Sequence, residues 1–443
     1  MTITGTPGRT EPKKPSEPSE PAEPAEPEAH GDRRSVPPSD PSRRNGAVLV
    51  GFTAVTNLAD GVMRLALPLL AVRLTDSPAL VTTASLALTL PWLLTALHIG
   101  VVVDRFDRRM LLWLAGAARL AAMGGLFAAA VTGHLTLGRL LAAGAVLGVA
   151  DVLAATAGSA LVPAAVGREH RPRVNAWMVG AETVGQEFAG PFVGGLLLAA
   201  GTGLALGAIG VTYAAAALLL VLLAGRFRPA APAPGTPSVP VNTRIAEGFR
   251  LLWRDPVLRT LSLTAAALNA VWGAWLALMP LHAHQAMGLG PGEYGFLLSG
   301  LGIGGLVGAA TVTWVNRLLG PRRAMLADLL GTCAMTALPA LTTSLWAVAA
   351  GAFLGGMGGT LWAVNSRTLT QQKVPDALLG RYTAASRLLC YGALPIGTAA
   401  AGLLAELLGT RTVFAVISVL ALTTVIPFLR RVKAADLTGT SAP

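Results

Sequence analysis

The 443 residues are 53% hydrophobic and only 13% charged, and the apolar residues come in long blocks, which a water-soluble domain of this length does not show. A formal net charge of +11 would suit a nucleic-acid binder. The arginines and lysines, however, fall in short clusters between the apolar blocks, a pattern of membrane topology and not of a phosphate-binding face, so no nucleic-acid partner is expected.

In chain order, residues 1–45 stand apart. Ser/Ala-Glu-Pro repeats run from Glu11 to Glu28, and prolines continue to Pro41 without hydrophobic periodicity. Such a stretch buries too little apolar area to offset its ordering entropy, so a disordered cytoplasmic tail is expected. It has no apolar h-region of a signal peptide before Gly46.

From Gly46 the chain reads as helix after helix, each long enough for a hydrocarbon core of roughly 30 Å, which takes about 20 residues. Six spans are predicted at 47–72, 79–103, 110–131, 137–162, 175–200 and 204–225, forming a first bundle over 46–225. A cytoplasmic linker, 226–257, is Pro/Ala-rich from Pro229 to Pro240. It then sets Ile245, Phe249, Leu252 and Trp253 against Arg244, Glu247, Arg250 and Arg254, the pattern of an amphipathic helix lying on a membrane surface. Six further spans at 258–279, 292–315, 324–342, 345–368, 383–408 and 413–428 form a second bundle over 258–430, followed by a tail, 431–443. The fold class is therefore all-α integral membrane, with twelve transmembrane helices in two six-helix bundles.

Charge gives the orientation. With both termini cytoplasmic, the inner loops hold Arg105/Arg108/Arg109, Arg168/Arg171/Arg173, Arg226/Arg228, Arg317/Arg322/Arg323, Lys373/Arg381 and Arg430/Arg431/Lys433. The outer loops hold little beyond Arg73, Arg139 and Arg411. This asymmetry obeys the positive-inside rule. The halves also echo each other. Val162-Pro163 and Arg173 lead into a helix with Gly190-Pro191 and Gly194-Gly195, as Val374-Pro375 and Arg381 lead into one with Pro395 and Gly402.

Gly100-Val101-Val102-Val103-Asp104-Arg105-Phe106-Asp107-Arg108-Arg109 resembles the loop between helices 2 and 3 of the major facilitator superfamily, departing only at Asp107, where the family has Gly. The resemblance implies that Asp104 meets the positive N-terminus of helix 11 near Arg381 to Thr383 and latches the cytoplasmic side shut, with Arg105, Arg108 and Arg109 pairing with carboxylates or lipid phosphates. Gly190-Pro191-Phe192-Val193-Gly194-Gly195 resembles the helix 5 motif of drug:proton antiporters, with Gln186 where an upstream Gly is expected. Three further stretches resemble an actinobacterial exporter branch related to enterobactin and macrolide exporters: Leu90-Pro91-Trp92-Leu93-Leu94, Ala181-Glu182-Thr183-Val184 with Glu187-Phe188, and Val374-Pro375-Asp376 with Gly380-Arg381. The resemblance covers nearly everything from Gly46 to Arg430. It implies that helices 1, 4, 7 and 10 line a central cavity, where this chain offers Asn57, Asp60, Asp151, Asn269, Trp272, Trp275, Trp362 and Asn365. Aromatics with a few polar groups suit an amphiphilic or aromatic ligand better than a sugar.

Ionisable groups at bilayer depth are costly and functional by default. Asp60 has Arg64 one turn later on the same face. The two form either a neutralising pair or part of a proton or substrate site. Glu182 and Glu187 lie about 140° apart on an α-helix, at about 100° per residue, whereas Glu182 and Gln186 share a face. Asp151, where the resembling branch has Glu, has Arg119 as a candidate partner. A carboxylate in a low-dielectric cavity is well placed to take up and release protons, and Asp60, Glu182, Glu187 and Asp151 are the coupling candidates, in that order.

Other patterns carry less. Gly300-x-Gly302-x-x-Gly305 spells a dinucleotide fingerprint but sits in an apolar helix with no preceding strand, so helix packing is expected. No Walker-type phosphate loop is present, His282-x-His284 reads as a solvated pair in the loop after helix 7, and Cys333 and Cys390 read as packed thiols, so neither a metal site nor a cofactor is expected. A membrane-embedded enzyme would need a convergent catalytic cluster, and none is found. The expectation is a monomeric, bacterial plasma-membrane secondary transporter that exports a small amphiphilic molecule in exchange for protons, powered by the proton gradient. The alternative is a proton-coupled importer or facilitator of a nutrient or siderophore on the same fold.

Overall fold

The computed structural model describes residues 41–225, 227 and 241–432, all of it helix and connecting turn. The helices are α1 (Pro41–Val72), α2 (Pro78–Arg105), α3 (Arg108–Val131), α4 (Leu137–Ala165), α5 (Arg171–Glu182), α6 (Gly190–Ala200) and α7 (Thr202–Leu219) in the first half. After α8 (Val241–Arg254) come α9 (Pro256–Gln285), α10 (Pro291–Leu319), α11 (Pro321–Leu341), α12 (Leu345–Lys373), α13 (Asp376–Leu408), α14 (Thr410–Thr423) and α15 (Val425–Arg431). Among the described residues, eleven helical stretches are by themselves long and apolar enough to cross a membrane. The twelfth span is composite. Here α5, a π-helical stretch Thr183–Ala189 and α6 run on from one another, interrupted in hydropathy by Glu182, Gln186 and Glu187. The protein is thus an all-α, multi-pass membrane protein of two six-helix bundles.

Helix ends follow local chemistry. Asp107 caps α3 by accepting from Arg109 N at 2.9 Å and Met110 N at 3.2 Å, which accounts for Asp where the resembling loop has Gly. Asp255 caps α9 in the same way, so this helix starts at Pro256. Single glycines in the left-handed region, Gly320 (φ 78°) and Gly409 (φ 77°), are the whole connection between α10 and α11 and between α13 and α14.

Two expectations change at the edges. The stretch expected to be a tail lies outside the described residues up to residue 40, but residues 41–45 belong to α1. Asn45 fixes them there, donating to Ala224 O at 3.0 Å and accepting from Ala224 N at 3.0 Å, while Ser42 Oγ accepts from Gly167 N at 2.7 Å. The amphipathic helix is present as α8, yet its apolar face serves the protein: Leu252 is buried with Leu258, Val374 and Tyr382, and Glu247 pairs with Arg381 of α13 at 2.6 Å. Its Trp253 is exposed. Arg226, Arg228, Lys433 and the segment from Pro229 to Pro240 lie outside the described residues.

The halves meet along two seams, α2 against α13 and α6 with the π segment against α10. The second is built from small residues. A methyl at Gly195 would come within 2.7 Å of Pro291 O and 2.9 Å of Gly295 Cα, and one at Gly295 within 2.6 Å of Pro191 O. At the end of the bundle away from the chain termini, Glu406 Oε2 of α13 accepts from Ser77 Oγ at 2.7 Å and from Ala79 N at 3.1 Å. A carboxylate of the second half thereby satisfies a free amide at the N-terminus of α2 in the first. Gln285 reaches Asp76 at 3.4 Å nearby.

Candidate functional site

Four charged side chains from three helices of the first half converge in the middle of the bundle. Arg119 of α3, with 3% of its side chain exposed, donates from Nη2 to Asp60 Oδ2 of α1 at 3.1 Å and to Asp151 Oδ1 of α4 at 3.2 Å. Tyr213 of α7 donates to the other oxygen of Asp60 at 2.6 Å, and the Arg119 guanidinium lies 5.2 Å from the Tyr213 ring centroid. Trp92 of α2 donates from Nε1 to Asp151 Oδ2 at 3.1 Å. Arg64, half exposed, approaches the same oxygen at 3.8 Å. One buried cation thus holds two carboxylates, each also tied down by an aromatic donor, so the charges are compensated, while the Arg119 Nε is buried without a partner among the described residues.

Of the two alternatives left open for Asp60 and Arg64, the neutralising pair is not the one seen, and the partnership expected between Asp151 and Arg119 is present. Asp60 pairs with Arg119, and Arg64 reaches across to Asp151. The long Arg64 side chain points into open space, whereas Arg119 is enclosed and must neutralise its neighbours.

These residues front a cavity of about 280 Å³ at the junction of the halves. The first half contributes Asp60, Arg64, Thr89, Trp92, Asp151, Gln186, Glu187 and Tyr213; the second contributes Trp272, Leu276, Tyr294, Leu298, Leu301 and Leu394. Among the predicted residues, the cavity lining brings together Asp60, Asp151, Arg64, Glu187, Pro191 and Trp272. The other predicted cavity residues and Glu182 are not in the lining. Asn57 and Asn269 turn back onto their own helices, donating to Thr53 O and Ala265 O, both at 2.8 Å. Trp275 is fully buried, its Nε1 donating to Met335 O at 3.0 Å, and Trp362 packs on Phe428. Asn365 exchanges hydrogen bonds with Asn316 at 2.9 and 3.1 Å. Glu182 is exposed and outside the lining, though within electrostatic range of Arg64, Asp151 and Glu187.

The π segment decides which acid faces inward. Its i→i+5 bonding, as in Gly190 N to Gly185 O, widens the turn and breaks the α-helical register on which the Glu182/Gln186 face was predicted. Gln186 and Glu187 line the cavity side by side instead. The segment is held by close backbone contacts: a methyl at Gly61, next to Asp60, would come within 2.6 Å of Gly185 O, and one at Gly190 within 2.6 Å of Gly61 Cα. On its other side, Gly302 of α10 lies against the carbonyl of Glu187. Gly300 and Gly305 abut α12, so the glycine fingerprint is indeed a packing surface. Gly194 packs on Val62 of α1.

The expected latch at Asp104 is open. Asp104 is exposed and takes no hydrogen bond or ion pair among the described residues, while Arg381 is engaged by Glu247. Arg105 is exposed, Arg109 donates to Val221 O at 3.3 Å, and the Arg108 Nε is buried without a partner among the described residues. His282 is also corrected: it lies within α9, buried, with Nδ1 3.1 Å from Thr410 Oγ1 and its ring edge-on to Phe414. Cys333 and Cys390 are free thiols, partly buried. Not anticipated from the sequence are Trp92 and Tyr213 as ligands of the acids, Tyr294 in the lining, and Asp328, an acid fully buried in α11 beside Thr332. For Asp328 the signal was available, an acid inside an apolar span.

A family model for the Major Facilitator Superfamily matches residues 49–393 and 290–442 of the chain. The chain is 27% identical over 417 residues to the multidrug efflux pump Tap of Mycolicibacterium fortuitum, covering 89% of this chain and 98% of that protein. It is 29% identical over 347 residues to the enterobactin exporter EntS of Shigella boydii, covering 75% and 78%. Among solved structures, it resembles the nucleoside transporter NupG with a TM-score of 0.69 at 13% identity, covering 88% of this chain and 99% of that one. It resembles a bacterial homologue of the iron transporter ferroportin with a TM-score of 0.68 at 16% identity, covering 88% and 98%. These two structural likenesses bear on the fold alone.

Proposed function

The chain belongs to the major facilitator superfamily of transporters, and on that premise we propose that it exports a small amphiphilic compound in exchange for protons. The observation that carries this reading is the Asp60–Arg119–Asp151 cluster, buried in the first half yet fronting a cavity shared by both halves. Two carboxylates sharing one arginine form a site whose pairing changes when a proton arrives: protonation of Asp60 removes its claim on Arg119, which then belongs to Asp151. Gly61, adjoining Asp60, lies on the π segment, and α6 lies on α10 through Gly195 and Gly295, so a shift of α1 is felt at the seam between the halves. The relatives named as efflux pump and exporter support the outward direction.

In this reading the positive-inside rule puts both termini in the cytoplasm. The end closed by Ser77, Ala79 and Glu406 then faces outward, and the unlatched Asp104 faces the cytoplasm, an arrangement ready to load cargo from inside. Purified protein in liposomes, given a pH gradient and a panel of amphiphilic compounds, tests the proposal. Cargo is expected to move against its own gradient toward the acidic side and to stop when the gradient is collapsed. Cargo moving with the protons, or indifferent to them, overturns the proposal and favours an importer or facilitator.

A further inference from the structure

The cavity holds one acid that the charge cluster does not use. Asp60, Asp151, Arg119 and Arg64 satisfy one another, two carboxylates against two guanidiniums. Glu187 lines the same cavity, partly buried, with neither a hydrogen bond nor an ion pair from its side chain among the described residues. Counted formally, the site therefore carries three carboxylates against two cations, and Glu182 adds negative potential from just outside the lining. Glu187 is also firmly placed. Its backbone is wedged in the π turn between α1 and Gly302 of α10, so the carboxylate is presented at the seam between the halves. Facing the space are the aromatic side chains Trp92, Trp272 and Tyr294. Trp92 is held in orientation by its bond to Asp151 and by stacking on Tyr391, with ring centroids 6.3 Å apart.

An unpaired carboxylate in an otherwise neutral, aromatic-walled cavity is the recognition chemistry of an organic cation: the charge finds its counter-ion, and aromatic faces accept what remains of the positive surface. We infer that Glu187 is the receptor for a cationic group on the cargo, and that the Asp60–Arg119–Asp151 cluster serves the proton. This division of labour rests on the exporter reading and adds the substrate class to it: an amphiphile with an ammonium or similar cation attached to an apolar or aromatic body. It also gives the π segment a purpose, since a regular α-helix would have turned Glu182 and Gln186 to one face together and Glu187 away.

Binding to the full-length protein in detergent separates this inference from transport itself. Phenyltrimethylammonium and benzenesulfonate, similar in size and opposite in charge, are compared by equilibrium dialysis at one pH and ionic strength. The wild type is expected to prefer the cation. Glu187→Gln should lose about tenfold of that affinity, the scale of one desolvated charge interaction of about 1.4 kcal/mol, and Glu187→Asp should recover part of it. Asp60→Asn should lose coupling to a pH gradient. A wild type that prefers the anion, binds neither probe, or keeps its preference in Glu187→Gln overturns the assignment, and the exporter reading is then judged separately by the liposome assay. Glu187→Gln protein that still elutes as a monodisperse peak and still binds an uncharged aromatic probe excludes misfolding as the cause.

Discussion

Replacing Arg119 tests the charge cluster most sharply as a structural unit. Its side chain is 3% exposed and its Nη2 serves both Asp60 and Asp151, so Arg119→Gln leaves Asp60 with Tyr213 alone and Asp151 with only Trp92 and the distant Arg64. Breaking a buried ion pair from one side costs about 3–5 kcal/mol. Arg64 is 49% exposed and 3.8 Å from Asp151, so Arg64→Gln should cost about 1 kcal/mol or less. The two arginines touch the same acid, yet their removal should differ several-fold in effect. Unfolding titrations in mixed micelles give the comparison, with the double variant Asp60→Asn/Arg119→Gln as the third arm. Removing both partners leaves one stranded acid fewer, and the coupling between the two changes should reach about 1–3 kcal/mol in the stabilising direction. Equal destabilisation by the two arginine variants, or additive effects in the double, would refute the shared-cation geometry.

Other consequences follow from packing. Gly195→Leu should abolish transport while the protein remains in the membrane, because even a methyl there meets α10 backbone at 2.7 Å, whereas Gly124→Leu, with nothing within 4 Å, should be tolerated; vesicle transport normalised to protein amount checks both. Glu406→Ala removes the carboxylate that joins α13 to Ser77 and Ala79, and a cysteine introduced at Leu276 in a background lacking Cys333 and Cys390 should become more reactive to an impermeant thiol reagent applied at that end. Trp275→Ala should destabilise by about 3–5 kcal/mol without changing cargo selectivity. Trp272→Ala should do the reverse, because Trp275 is core and Trp272 lines the cavity.

The spans, their number and the seam glycines could be read from the sequence, because twenty-residue apolar blocks and small-residue patterns have few other physical meanings. Rotation of each helix could not. A helix that is apolar all round has no periodic polar face to orient it, so Trp272 and Trp275, three residues apart, looked alike although one lines the cavity and the other fills the core. Pairings across the bundle were equally hidden. Arg119 and Asp60 are 59 residues apart, while Arg64, one turn from Asp60, reaches Asp151 on another helix. The π turn has no compositional signature that separates it from α-helix, and it alone decides that Glu187 joins Gln186. The contact expected of Asp104 is not made in the arrangement described, and the sequence motif alone does not say in which arrangement of the halves it would form.

The decisive measurement is the movement of protons during export by the reconstituted protein. With a pH-sensitive dye on one face of the membrane and a cationic cargo on the other, each cargo molecule leaving in wild-type vesicles should be matched by protons travelling the opposite way. That exchange should vanish in Asp60→Asn. Cargo leaving Asp60→Asn vesicles with the same proton counterflow as wild type would contradict the assignment of this cluster to the proton.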